Sequence, residues 1–205
     1  MIHIVDYGLG NIQAFVSVFS RLGIPVVRAC VAGDLTGATH VILPGVGHFD
    51  SAMRLLNQSG MRPALEKIVI GKGVHLLGVC VGMQMLAEGS DEGISSGLKW
   101  IPGRVRSFAN YPNSSGLPTP HMGWNQVQPR IGGRLFDNVD KEVPEFYFLH
   151  SFYFDPLEES DVAATAKYGF EFCSVVSRGN VHGVQFHPEK SHNWGAQFLL
   201  RFANL

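Results

Sequence analysis

Two glycines flank a cysteine at matched distances in Gly78-Val79-Cys80-Val81-Gly82, between the apolar run VHLLGV (74–79) and the helix-like MQMLAEG. A reactive residue on a tight strand-to-helix turn sits in a strained backbone conformation. The residues two before and two after it must be small, because a β-carbon would collide across the turn. Such a turn presents the sulfur beyond the strand end and at a helix N-terminus, where the macrodipole favours thiolate. It also aims the Val81 amide at the place where an oxyanion develops. The same five residues fit equally a buried, inert cysteine packed between two glycines. Cys30 and Cys173 lack this context and read as inert core thiols.

The surrounding pattern supplies the sheet that the turn needs. IHIVD (2–6), PVVRAC (25–30), HVILP (40–44) and VHLLGV (74–79) read as strands. Between Asn11 and Leu22, Ile12, Phe15, Val16 and Phe19 form a helical stripe, with Asn11 as N-cap and Gly23 as stop. Further helical segments fall near 48–57 and 61–70. Alternating strands and helices predict a doubly wound, mostly parallel α/β sheet, whose ligands gather at the carboxyl ends of the strands. Beyond the Pro-, Ser- and Asn-rich loop at 110–120 come short β-like runs (FYFLHSFYF, VAATAKY, NVHGVQFH), a smaller mixed or antiparallel extension. A closing helix from about Ser191 carries Trp194, Phe198 and Phe202 on one face. With no internal repeat and no long linker, residues 1–205 read as one domain.

Two further segments could serve a cysteine. In VHGVQFHPE, residues i and i+2 of an extended strand project to one side, and Pro188 favours an extended His187. Glu189 is then placed to orient the imidazole of His187, completing a nucleophile, base and orienter with Cys80. A solvated histidine, or metal ligation by His187, Glu189 and His192, competes; the spacing matches no familiar zinc pattern. Pro44-Gly45-Val46-Gly47 follows an apolar strand, and its glycines free backbone N–H groups to face a ligand. Gly8-Leu9-Gly10 begins like a dinucleotide fingerprint, but position 13 is Gln, so it reads as a loop.

Composition excludes several classes. The net charge of −1 with 16% charged residues leaves no basic stripe for nucleic acid or anionic membrane. No apolar stretch approaches the ~20 residues that span a bilayer. Three widely spaced cysteines make no disulfide framework, and the N-terminus lacks a signal peptide's basic and apolar regions. A cytoplasmic location is expected.

Together PGVG (44–47), GVCVGMQ (78–84) and HPE (187–189) resemble the class I, triad-type glutamine amidotransferases. DYGLGN (6–11), HMGWN (121–125), FYFLHS (146–151) and HPEKS (187–191) look like the branch that forms the glutaminase subunits of imidazole glycerol phosphate synthase. The resemblance runs almost the full length. It implies a flavodoxin-like fold and hydrolysis of glutamine through a γ-glutamyl thioester, with no cofactor or metal. It assigns Cys80 as nucleophile, His187 as general base and acid, and Glu189 as orienting carboxylate. Val46, Gly47 and Val81 become the oxyanion hole, and Gln84, Glu92, Ser151 and Phe152 hold the far end of glutamine. Glu92 suits the α-ammonium group, though a solvated charge in SDEG is the simpler alternative.

The resemblance also implies a partner, a (β/α)₈-barrel synthase subunit that binds the acceptor and receives ammonia through its interior. Asn11, Trp124, Asn125, Tyr147 and Lys190 match positions lying towards that partner, with core packing the alternative for Trp124 and Tyr147. The first helix NIQAFVSVFSRLG and the tail KSHNWGAQFLLRFANL look closer to a paralogous branch that supplies ammonia for a surface-polysaccharide sugar. A free-standing γ-glutamyl hydrolase and a catalytically silent regulator are the other readings; the intact Cys-His-Glu set argues against the last.

Overall fold

The computed structural model describes residues 1–111, 117–130, 134–136 and 142–205. Its elements run β1 (Ile2–Val5), α1 (Ile12–Arg21), β2 (Val26–Ala29), β3 (His40–Gly45), α2 (Phe49–Gln58), α3 (Arg62–Lys72), β4 (His75–Cys80) and α4 (Val81–Gln84). There follow β5 (Gly103–Ser107), β6 (His121–Pro129), β7 (Glu145–His150), β8 (Phe152–Pro156), β9 (Val162–Tyr168), β10 (Phe170–Arg178), β11 (Val181–Val184) and α5 (His192–Ala203).

The strands form one sheet in the order β2-β1-β3-β4-β11-β10-β9-β6-β7, with β8 pairing β10 and β5. From β2 to β11 all pairings are parallel; from β11 to β7 all are antiparallel. The doubly wound sheet and its antiparallel extension therefore meet at β11. This strand lies beside β4 with Val184 opposite Val79. That pairing brings the chain after residue 79 and the chain after residue 184 to the same sheet edge, although a hundred residues separate them.

Local signals hold at the first helix. The Asn11 side chain accepts from the Ala14 N–H at 3.2 Å, and Gly23 has φ +69°. The core is aromatic beneath α5: Phe146 stacks on Phe186 at 3.9 Å between centroids, and Phe198 packs edge-on against both.

Several expectations need correction. MQMLAEG is not a helix; α4 ends at Gln84 because residues 97–100 return over it. Leu98, Lys99 and Trp100 donate their N–H groups to the carbonyls of Met85, Ala87 and Leu86, so those carbonyls are spent in a loop ladder. FYFLHSFYF is two strands broken at Ser151. Cys30 is exposed, whereas Cys173 is buried and burial pushes its thiol pKa up. Residues 112–116 of the 110–120 loop lie outside the described residues. Among those described, no helix is long and apolar enough to cross a membrane.

Candidate active site

Cys80 ends β4 and opens α4 with φ +55° and ψ −113°, a left-handed conformation that costs a β-carbon-bearing residue about 1–3 kcal/mol. The turn is held by close backbone approach. A β-carbon on Gly78 would lie 2.5 Å from the Gly82 carbonyl oxygen, across the turn as expected. One on Gly82 would instead run into the Leu43 carbonyl of β3, and one on Gly45 into the Gly82 amide. The glycines thus seat α4 on the neighbouring strand as well as closing the turn.

His187 follows β11, and its backbone N–H donates to the Tyr147 carbonyl at 2.9 Å. Ser191 Oγ donates to the His187 carbonyl at 2.6 Å and accepts from the Tyr147 N–H at 3.0 Å, so the histidine is pinned to β7. Glu189 Oε1 meets His187 Nδ1 at 2.8 Å, with both side chains almost wholly buried. The expected geometry was an extended i, i+2 pair. Instead only His187 is extended (φ −103°, ψ 92°), and Glu189 sits in a 3-10 turn over Pro188–Lys190 that curls its carboxylate back beneath the ring.

Burial alone would lower the pKa of His187. Hydrogen bonds and charge from Cys80 and Glu189 outweigh it and push the value up to about 10. The sign follows: stability from this charged imidazole is complete below its unfolded value near 6.5 and is lost as pH rises through about 10. Denaturant unfolding of the wild type and of His187→Gln should therefore differ most at and below about pH 6.5, with the gap closing towards pH 10. A gap that widens with pH would contradict this assignment.

Cys80 and His187 share the wall of a cleft of about 280 Å³. Val46, Gly47 and Val81 line it beside the sulfur, and Gln84, Glu92, Ser151 and Phe152 line the rest. The Val46-Gly47 loop is buttressed by the opening motif. The buried Tyr7 hydroxyl donates to the Pro44 carbonyl at 2.8 Å, and Gly10 (φ +96°) leaves room for the Pro44 ring. This gives DYGLGN a structural task that spacing alone did not reveal. Glu92 is not a free surface charge: its Oε2 accepts from the Phe49 N–H at the start of α2 at 2.7 Å. The Phe152 carbonyl is already engaged, by Gln84 Nε2 at 3.3 Å and His150 Nδ1 at 2.7 Å.

The five partner-facing candidates separate. Trp124 is 48% exposed, stacks on His192 at 5.3 Å and meets Tyr147 edge-on; core packing does not describe it. Lys190 lies over the Tyr147 ring at 5.9 Å and also lines the cleft. Asn125 is spent internally, on the Lys167 carbonyl at 2.9 Å and on His121. Asn11 caps α1. Among the described residues no three His, Cys, Asp or Glu side chains converge on a metal position.

Sequence reasoning missed Gln185, His150 and Leu149. The detectable signal was Gln185 itself, a polar residue inside the apolar run VHGVQF, which must find partners if buried.

The family described as glutamine amidotransferase class-I matches residues 3–203. A Bdellovibrio bacteriovorus protein named imidazole glycerol phosphate synthase subunit HisH is 55% identical over 205 residues, covering all of both chains. The Leptospira interrogans protein of the same name is 46% identical, again over the whole of both chains. A Pseudomonas aeruginosa protein named imidazole glycerol phosphate synthase subunit HisH 2 is 38% identical over the same span. Among solved structures, one titled as a glutamine amidotransferase superposes with TM-score 0.75 at 20% identity, covering 99% of this chain and 100% of the other.

Proposed function

The chain belongs to the class-I glutamine amidotransferase family, and on that basis we propose that it is the glutaminase subunit of imidazole glycerol phosphate synthase in histidine biosynthesis. Cys80 and His187 on one cleft wall, with Glu189 hydrogen-bonded to His187 Nδ1, carry this reading. Cys80 Sγ attacks the side-chain amide carbon of glutamine, and the carbonyl oxygen takes the displaced electron pair. The Val81 amide at the start of α4 and the Val46-Gly47 loop border the place where that oxyanion forms. His187, protonated at neutral pH, gives its proton to the leaving nitrogen, and ammonia departs with formation of the γ-glutamyl thioester. The now neutral imidazole takes a proton from water, whose attack releases glutamate and restores the Cys80 thiolate beside the protonated imidazole. Glu189 holds Nδ1 throughout, so that Nε2 is the nitrogen that exchanges protons. Gln84, Glu92 and the Ser151-Phe152 backbone border the space for the amino-acid end. Glu92 brings a carboxylate already fixed by the α2 N-terminus, a suitable counter-ion for an α-ammonium group.

The acceptor belongs to a (β/α)₈-barrel partner subunit. Leu149 on β7 and Lys190 line the cleft, and exposed Met122 and Trp124 on β6 lie opposite Leu149 and Tyr147. An apolar patch rimmed in this way is the kind of surface a partner covers. The names of the relatives favour imidazole glycerol phosphate, formed with AICAR, over a polysaccharide sugar as the product side of the reaction. The test is isotopic. The reconstituted complex receives [amide-¹⁵N]glutamine in excess unlabelled ammonium. Product carrying ¹⁵N undiluted by the bulk pool is expected; product with the bulk isotope ratio would defeat the proposal that ammonia passes directly between the subunits.

A further inference from the structure

The sulfur of Cys80 has neighbours besides His187. It accepts from Gln185 Nε2 at 3.8 Å, and its own S–H reaches the Leu149 carbonyl at 3.8 Å. Gln185 has no exposed surface and is not part of the cleft wall, so it touches the nucleophile without touching a bound substrate.

Which end of the Gln185 amide faces sulfur is decided by a buried chain. Gln185 Oε1 accepts from Gln84 Nε2 at 3.1 Å, so a flipped Gln185 would set two NH₂ groups against each other. Gln84 cannot flip either, because the same Nε2 donates to the Phe152 carbonyl at 3.3 Å. That carbonyl also faces His150 Nδ1 at 2.7 Å; a carbonyl only accepts, so His150 carries its proton on Nδ1 and accepts at Nε2. The donor to His150 Nε2 is His121 Nδ1 at 2.8 Å, and His121 Nε2 accepts from Asn125 Nδ2 at 3.1 Å. Each group has one consistent assignment. Burial keeps both rings neutral, with pKa values lowered to about 3 for His150 and about 4 for His121.

We propose that Gln185 is a positioning residue for Cys80: its amide N–H, held towards the sulfur by the Gln84–Phe152–His150 chain, keeps the nucleophile aimed and stabilises the charge it carries before attack. This rests on Cys80 being the nucleophile of the proposed glutaminase. A lost hydrogen bond to a charged atom corresponds to about a 10- to 100-fold rate effect.

Gln185→Glu keeps the bond from Gln84 but puts an acceptor against sulfur, and Gln185→Met removes both polar ends. Both are assayed in the full chain with its synthase partner, counting competent sites by titration with a diazoketone analogue of glutamine. The expected result is a kcat per titrated site lower by about 10- to 100-fold, Glu the worse, with KM within about threefold of wild type. Unchanged kcat per site, or a change confined to KM, would overturn the proposal. Should both variants fail to fold, the wild-type chain still decides the matter. Alkylation of Cys80 must shift the side-chain ¹⁵N–¹H resonances of Gln185, and an unmoved signal overturns the proposal. Failure of the diazoketone to label wild-type Cys80 would instead remove the nucleophile on which the function rests.

Discussion

Cys80→Ala is expected to reduce glutamine-dependent synthesis by about 10⁴-fold or more, because a covalent route loses its only attacking atom. Ammonia-dependent synthesis in the same complex should stay within about twofold of wild type, because alanine leaves the fold and the partner surface in place. The small cost of the change follows from the site. Cys80 is buried at the strand end, its φ is +55°, and alanine retains the β-carbon that this conformation already tolerates. Measuring both activities on one preparation separates the two roles. Loss of the ammonia-dependent reaction with the complex intact would mean that the chain does more than supply ammonia. Retention of glutamine-dependent synthesis would remove Cys80 from the chemistry altogether.

The second large effect is on the fold. Gly82→Ala places a methyl group into the Leu43 carbonyl of β3, where backbone faces backbone and no flexible side chain can yield. Helix α4 would have to lift from β3, carrying the Val81 amide and the Cys80 backbone with it. Overpacking of this kind costs about 3 kcal/mol, a large share of the roughly 5–15 kcal/mol that holds a domain together. The natural comparison is Gly47→Ala, where a β-carbon would meet nothing within 4 Å and only the φ of +81° is unfavourable. That substitution should cost about 1 kcal/mol. Equal unfolding midpoints for the two variants, by thermal or denaturant melts, would show that the β3–α4 contact yields to the added methyl group.

Much of the site was legible because its requirements are local. A nucleophile on a tight turn needs glycines at 78 and 82, an N-cap needs the Asn11 side chain, and a loop of amides needs the glycines of 44–47. Each of these is a backbone condition that restricts residue type at fixed spacing. The errors arose where a distant segment competed for the same backbone groups. MQMLAEG carries a helical pattern, but the 97–100 return takes its carbonyls. The HPE segment reads as extended until the 3-10 turn bends Glu189 under the imidazole. Gln185 and His150 escape a reading of the sequence because Gln84 and His121, the partners that orient them, are remote in sequence and meet them only when the sheet is assembled.

The sequence by itself determined the elbow at Cys80, the strand–helix alternation that supports it, and the pairing of His187 with Glu189. Glycine spacing, apolar periodicity and a two-residue separation are short-range constraints that any fold must satisfy. Only the tertiary structure decided that His187 stands beside Cys80, through the parallel pairing of β11 with β4. It alone set the direction of the buried amide chain behind the sulfur and left Trp124 half-exposed beside the cleft. Those outcomes depend on which strands become neighbours. Strand order is settled by burying the whole apolar surface at once, so no single segment contains it.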